Sequence, residues 1–294
     1  MRKIITRIKG GLGNQLFCYA TARRLALVNN AELVIDNVTG FSRDVQYCRR
    51  YMLDHFCISA RKATPAERLI PFERYRRGFI KWLSSKKPFE ERKYLGQEGN
   101  EFDERLLTLK VKKTLYLDGY WQSEAYFKDV EQIIREDLRV NPPYDSENNS
   151  MAKKIRGVNS VAIHIRCFDL PHSTELHNVS VDYYQRAICV MESKIKSPHY
   201  FLFSDNVDVA REKVILPKGR VTCISHNAGD ERAYADLWLM THCRHFITAN
   251  STFSWWGAWL GGGKEKIVVT PDLKIGGVGG WSFKGLIPDE WVKL

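Results

Sequence analysis

Short apolar runs of strand length recur along the chain, and the segments between them space their apolar residues by threes and fours. "KIITRIK", "AELVID", "SVAIHI", "HYFLF", "RVTCIS", "HFITAN" and "KIVVTP" read as strands. "QLFCYATARRLALVNN" sets Leu16, Tyr19 with Ala20, Arg23 and Leu27 at helical spacing and predicts an amphipathic helix. "SVDYYQRAICVMESKI" and "DERAYADLWLMTHC" predict two more. With "GGLGN" as a tight loop after the first strand, the chain opens as a βαβ unit. Strands alternating with helices predict an α/β fold whose parallel sheets are covered on both faces. Ligands of such sheets bind beyond the carboxyl ends of the strands.

At 294 residues the chain is long for a single core, so the pattern predicts two lobes. The turn-rich stretch "NPPYDSENNS", Asn141 to Ser150, marks the expected boundary and gives lobes of residues 1–150 and 151–294. The active site is then expected in the cleft between them.

Three stretches carry candidate chemistry. The strand "SVAIHI" ends in His164, Arg166 and Asp169, which either face a ligand or satisfy one another in an ion pair between lobes. Gly10, Gly11 and Gly13, between a strand and a helix start, let backbone N–H groups approach an anion. A dinucleotide site with Asp36 as the ribose acid fails because Leu16 occupies the place of the third glycine. Near the end, Asn250, Ser251 and Thr252 offer cap chemistry to a helix carrying Trp255, Trp256 and Trp259, a second phosphate cradle. The tryptophans read as core packing or as a sugar platform.

A net charge of +11 implies attraction to anions. Part of the excess is local: between Pro71 and Lys93 stand eight Lys/Arg against three Glu, with aromatic residues interleaved. That segment is either a solvated helix face or a peripheral membrane contact. The pairs Arg49/Arg50, Arg76/Arg77 and Lys86/Lys87 motivate a rival reading as a basic nucleic-acid-binding protein, but no recognised motif supports it and no nucleic acid partner is expected. The N-terminus lacks the apolar core of a secretory signal, and no apolar segment approaches the ~20 residues of a membrane helix. A cytoplasmic protein, or one peripheral at the inner membrane, is expected. The seven cysteines are scattered without C-x-x-C spacing, and are expected to be reduced and mostly buried.

"GGLGNQLFCYA", "GYWQSEAYF", "AIHIRCFD", "FLFSDN" and "DLWLMTHCRHFITANSTFSWWGAWL" occur in that order and together resemble the bacterial α-1,2-fucosyltransferases of glycosyltransferase family 11. The resemblance runs from residue 4 to the closing "IPDEWVKL" and is least characteristic from about 40 to 110. It implies a GT-B fold of two Rossmann-like lobes, with GDP-fucose as donor, a terminal β-galactoside glycan as acceptor and no metal or other cofactor. No Asp-x-Asp occurs in the chain, in keeping with that last point. The implied reaction inverts the β-linked donor into an α-linked product at galactose O2, and another fucosyl linkage is the alternative within the class.

By the same resemblance, Arg166 would neutralise the departing β-phosphate, and His164 would contact the nucleotide or hold the loop. Asp236 would meet the guanine edge, and Ser251 and Ser254, beside Asn250, would supply phosphate-binding hydroxyls. Gly11, Gly13, Asn14 and Gln15 would reach the donor and acceptor from the other lobe. Asp205 matches the first acid of the family's Phe-Ser-Asp-Asp, with Asn206 in place of the second. The candidates for the general base are, in order, Glu175, Asp169 and His177. One departure stands out: Cys167 and Phe168 replace the second arginine and the glycine of the usual Arg-Arg-Gly-Asp.

Overall fold

Every strand among the described residues lies in one of two all-parallel sheets. The computed structural model describes residues 1–167, 179–272 and 285–294. The chain forms two compact units, the first built on Met1–Arg139 and the second beginning at Val140. Gly285 and Leu286 belong with the first unit, and Ile287–Leu294 with the second.

Unit 1 runs β1 (Lys3–Arg7), α1 (Leu12–Val28), β2 (Glu32–Asp36), β3 (Arg61–Lys62), α2 (Glu73–Ser85), β4 (Tyr94–Gly96), α3 (Arg105–Thr108), β5 (Thr114–Asp118) and α4 (Glu131–Asp137). Its sheet order is β3-β2-β1-β5-β4. β1 is central, with Ile4 opposite Leu33 on one side and Leu115 on the other. β5 lies beside β1 and parallel to it, so the loops leaving those two strands emerge at the same end of the sheet. α1 departs from the amphipathic expectation. It begins at Leu12, inside the glycine loop, and is buried on nearly every side, with Leu16, Phe17, Tyr19 and Ala20 all enclosed. Arg23 on this helix pairs with Asp137 at 2.7 Å.

The carboxyl end of β5 is held by charge. Asp118 accepts from Lys9 Nζ at 2.7 Å, from Arg7 Nη1 at 3.3 Å and from the Tyr94 hydroxyl. Burial alone would raise this carboxyl, but the two cations outweigh it and hold it at about 2. Its folded-state value is therefore depressed. The stability it contributes is present above the ordinary carboxylate value near ~4 and is lost as pH falls towards ~2. Asp118→Ala should cost about 3 kcal/mol in urea unfolding at pH 7, because two partly buried cations lose their partner. A change within about 0.5 kcal/mol would show the pair to be decorative.

Unit 2 runs α5 (Ser146–Arg156), β6 (Ser160–Ile165), α6 (Val181–Lys194), β7 (His199–Ser204), α7 (Val207–Lys213), β8 (Val221–Cys223), α8 (Ala233–Thr241), β9 (His245–Ile247), α9 (Thr252–Leu260), β10 (Val268–Thr270) and β11 (Val292–Lys293). The sheet order β11-β10-β9-β6-β7-β8 is the doubly wound order of a complete Rossmann unit. The chain winds outward from β6 to β8, then returns to β9 on the other side of β6. The switch point lies between β6 and β9.

The division falls between Arg139 and Val140 instead of at residue 150. Half of the turn-rich stretch is the start of α5: Asp145 caps the helix through Asn148 N, and buried Asn148 bonds Asn227 within unit 2. The cysteines depart from expectation too. None forms a disulfide, but only Cys18, Cys167 and Cys243 are buried, while Cys48, Cys57 and Cys189 are exposed. β5, absent from the strands predicted above, carries the apolar alternation of Leu115 and Leu117 within "TLYLD".

Candidate active site

β6 decides where the chemistry of unit 2 emerges. Val161, Ile163, Ile165 and Cys167 pack into a core with Tyr183, Tyr184 and Ile188 of α6. Side chains alternate along a strand, so Ala162 and His164 belong to the opposite face and Arg166 continues their parity. There the His164 ring lies 5.5 Å from that of Phe253 on α9.

Arg166 is fixed by Asp205 at the carboxyl end of the neighbouring strand, β7. Its Nη1 donates to Asp205 Oδ2 at 2.8 Å, and both side chains remain 28% exposed. The other oxygen, Oδ1, accepts from the Cys167 backbone N–H at 2.8 Å. One carboxylate thus holds both the guanidinium and the backbone that follows it. A pair this exposed adds little to stability, and its consequence is orientation. Asp205, expected at the donor, is here the acid that aims the arginine. The Cys167 side chain, where the family usually has a second arginine, sits in the core. Asn206 serves where an aspartate was expected by capping α7, its Oδ1 accepting from Val209 N at 3.2 Å.

His164 is buried, and Nδ1 has no hydrogen-bond partner among the described residues. Burial first, and the Arg166 charge second, push the imidazole down to about 3. It is therefore neutral near pH 7 and does not compete with the guanidinium for anions. Two tyrosines brace this end of the sheet. Tyr184 donates to the His164 carbonyl at 3.2 Å, and Tyr183 donates to the Thr248 carbonyl at 2.7 Å. The sequence signal for both was the apolar face of α6.

Across the switch point, the chain leaving β9 turns into α9. Ser251 is the N-cap residue, extended at φ −138°, and its side chain makes no capping hydrogen bond. Ser251 thus opens α9 at the end of the helix where the dipole favours negative charge. Asn250 beside it is half-buried. Ser254 departs from the expectation of a ligand hydroxyl. It is fully buried, accepts from Ala249 N at 3.2 Å and donates to the Ser251 carbonyl at 3.1 Å, so it ties the turn together. The tryptophans are core. Trp255, Trp256 and Trp259 are buried, with the Trp255 ring 4.9 Å from Trp256 and 5.6 Å from Trp291.

Asp236 on α8 sits in a polar network drawn from residues far apart in sequence. Asn227 Nδ2 donates to its Oδ1 at 2.9 Å, and Asn227 in turn exchanges bonds with Asn148. Arg232 reaches Asp145 at 2.7 Å. Burial pushes the Asp236 carboxyl up to about 7, against the opposing influence of Asn227 and Arg232. A carboxyl poised there, with Oδ2 unclaimed by any hydrogen bond among the described residues, suits a ligand carrying paired donors.

In unit 1 the glycine loop joins β1 to α1. Gly10 holds φ +74°, and a Cβ there would meet Asn14 Nδ2 at 2.9 Å and the Tyr120 ring at 3.1 Å, so only glycine fits. Gly11 is the N-cap residue, and Gly13 is buried in the first turn. Asn14 Oδ1 accepts from Gln122 Nε2 at 2.7 Å. Gln15 departs from the expected role at a ligand. It is fully buried, donates to the Gly10 and Arg50 carbonyls at 2.9 and 2.8 Å, and accepts from Met52 N at 2.9 Å. Its amide is spent on pinning the loop.

Asp169, Glu175 and His177 lie outside the described residues. Among the described residues, no group of three His, Cys, Asp or Glu side chains stands together to hold a metal ion.

The model of glycosyl transferase family 11 matches residues 3–274. Over its full length the chain is 26% identical to the alpha-1,2-colitosyltransferase of Escherichia coli, covering 99% of that protein. It is 29% identical to the Escherichia coli O-antigen biosynthesis glycosyltransferase WbnK, over 98% of this chain and 99% of that one. Galactoside alpha-(1,2)-fucosyltransferase 1 of Leontocebus fuscicollis is 24% identical over 51% of this chain and 44% of its own length. Among solved structures, NodZ alpha-1,6-fucosyltransferase soaked with GDP-fucose superposes with a TM-score of 0.51 at 16% identity, over 88% of this chain and 92% of that one. An Arabidopsis thaliana FUT1 variant in complex with GDP gives 0.55 at 13% identity, over 91% and 70%. The shared fold is of the GT-B type.

Proposed function

The chain belongs to glycosyl transferase family 11, and from that premise we propose that it transfers L-fucose from GDP-β-L-fucose to O2 of a terminal β-galactoside, with inversion to an α-1,2 linkage and without a metal ion. The observation that carries the reading is Arg166, aimed by Asp205 at the carboxyl end of β6, beside the switch point where Ser251 opens α9. One oriented guanidinium and a row of helix-start amides are complementary to the charge that grows on a leaving diphosphate.

In this reaction the acceptor oxygen forms a bond to the fucose anomeric carbon as the bond from that carbon to the β-phosphate oxygen breaks. GDP departs with the electron pair, and the acceptor proton passes to a general base. Glu175, Asp169 and His177 are the proposed candidates for that base, in this order. Arg166 stabilises the departing phosphate, and neutral His164 beside it leaves the positive charge undivided. Asp236 accepts from N1–H and the 2-amino group of guanine. The loop at Gly11, Gly13 and Asn14 serves the sugar and acceptor side.

A second donor has a specific observation in its favour, since the chain matches a colitosyltransferase end to end. Colitose is fucose without its 3-hydroxyl, so the two donors differ by one hydrogen-bonding group. The test begins with thermal shift: GDP should raise the melting temperature at concentrations where NAD and an oligonucleotide do not. With lactose, N-acetyllactosamine and Gal-β1,3-GalNAc as acceptors, in EDTA, GDP-fucose should then give an α-1,2-fucosylated product, faster than GDP-colitose gives the colitosylated one. No shift with GDP overturns the nucleotide assignment. Preference for GDP-colitose moves the donor, and dependence on added divalent ions removes the metal-free mechanism.

A further inference from the structure

We propose that the outer face of α2 is a docking surface for an anionic lipid bilayer. This helix inverts the usual arrangement of a surface helix. Ser84 is its only buried residue, and the Ser84 hydroxyl accepts from Tyr94 N at 3.1 Å, so α2 meets unit 1 along a narrow seam. Its rings point the other way: Phe72 is 71% exposed, Tyr75 76%, Phe79 60% and Trp82 56%, with Leu83 also exposed. At about 100° per residue, Tyr75, Phe79, Trp82 and Leu83 fall within one arc of roughly 100°, on the side away from Ser84. Phe79 and Trp82 stack at 6.2 Å, which makes the patch continuous. At the head of the helix, Phe72 holds a left-handed φ of +65°, a conformation that a bulky side chain adopts only at a cost. A contiguous apolar patch on an otherwise polar surface marks an interaction site.

Charge identifies the occupant. From Glu73 to Lys87 the chain carries six Lys/Arg and one Glu. Arg74, Arg76, Lys86 and Lys87 are exposed beside the rings and make no ion pair among the described residues. Rings interleaved with unclaimed cations match the boundary between phosphate headgroups and acyl chains. There the rings enter the apolar layer and the cations stay with the phosphates. A second copy of the chain fits worse, because pairing this face with itself sets two like-charged surfaces against each other. The helix is too short and too polar to cross a bilayer, and no helix among the described residues is long and apolar enough to do so. Contact is therefore in the plane of the surface.

The test uses the intact chain and vesicles of phosphatidylcholine with or without phosphatidylglycerol. The chain should float with phosphatidylglycerol vesicles, bind pure phosphatidylcholine at least about 10-fold more weakly, and be released by about 0.5 M NaCl. Tyr75→Ser/Phe79→Ser/Trp82→Ser and Arg74→Gln/Arg76→Gln/Lys86→Gln/Lys87→Gln should each lose about 10-fold or more in vesicle binding with an unchanged melting temperature. If either variant fails to fold, brominated phosphatidylglycerol gives an independent reading. It should quench fluorescence in the native chain and quench less in Trp82→Phe. No flotation of the native chain, equal binding by the variants or equal quenching in Trp82→Phe overturns the proposal. So does concentration-dependent self-association that the ring variant abolishes, because the face then joins two copies.

Discussion

Arg166→Ala is expected to lower kcat for fucosyl transfer by about 10²- to 10³-fold, equivalent to roughly 3–4 kcal/mol of lost transition-state stabilisation. The reason is the development of charge. In the bound donor the β-phosphate oxygen is still shared with the sugar, and as that bond breaks the oxygen gains negative charge beside the guanidinium. An interaction that grows along the reaction path acts on kcat more than on donor affinity. The fold should survive, because Arg166 and Asp205 are both 28% exposed and contribute little to stability as a pair. Arg166→Lys should recover only a small part of the loss, since an ammonium does not reproduce a fork held on one side by Asp205. Asp205→Asn should fall between the two. It keeps an acceptor for Cys167 N but gives up the charge that aims the arginine. The measurement is steady-state transfer at saturating donor, with melting temperature as the control. Near-normal turnover in Arg166→Ala would remove the residue from catalysis.

GDP affinity is expected to weaken by about 10-fold between pH 8 and pH 6, because only the ionised Asp236 accepts both guanine donors and its carboxyl is pushed up to about 7. The sign follows from linkage. Below about 7 the carboxyl is protonated in the free protein, and binding must first remove that proton. Above about 7 it is already ionised and affinity levels off. Stability of the ligand-free chain runs in the opposite sense. A raised carboxyl contributes fully below its unfolded value near ~4, and that contribution is lost as pH rises through about 7. Asp236→Asn should therefore flatten the pH dependence of GDP binding and weaken it throughout, while raising the melting temperature of the free protein at pH 8. Calorimetric titration with GDP across this range provides the check. An affinity that keeps its slope in Asp236→Asn would assign the titration to another group.

Much of the fold was legible because it rests on local pattern. The seven apolar runs are strands, and the two helices predicted in unit 2 are α6 and α8. β5 is not legible as a strand although "TLYLD" alternates, because only the four-residue α3 lies between β4 and β5 to frame it as the next strand. α1 reads as amphipathic in sequence because Arg23 sits on the helical period. A single paired arginine can occupy that position on a helix that is otherwise enclosed. The chemistry was legible as residue types at strand ends, which the α/β rule sends towards ligands. Their division of labour was not. Gln15, Ser254 and Asp205 have the same composition whether they bind a ligand or hold a loop, and only their partners decide between the two.

By itself the sequence determined the doubly wound α/β class, the family, and the strand end from which His164 and Arg166 emerge. Each follows from periodicity or motif order, which are properties of neighbours along the chain. Tertiary structure alone decided that Asp205 aims Arg166, that Asn227 and Asn148 surround Asp236, and that the tryptophans are core. It also decided that the rings of α2 face outward. Those facts depend on contacts between residues far apart in sequence, and on which face of an element the packing leaves uncovered. No spacing along the chain encodes them.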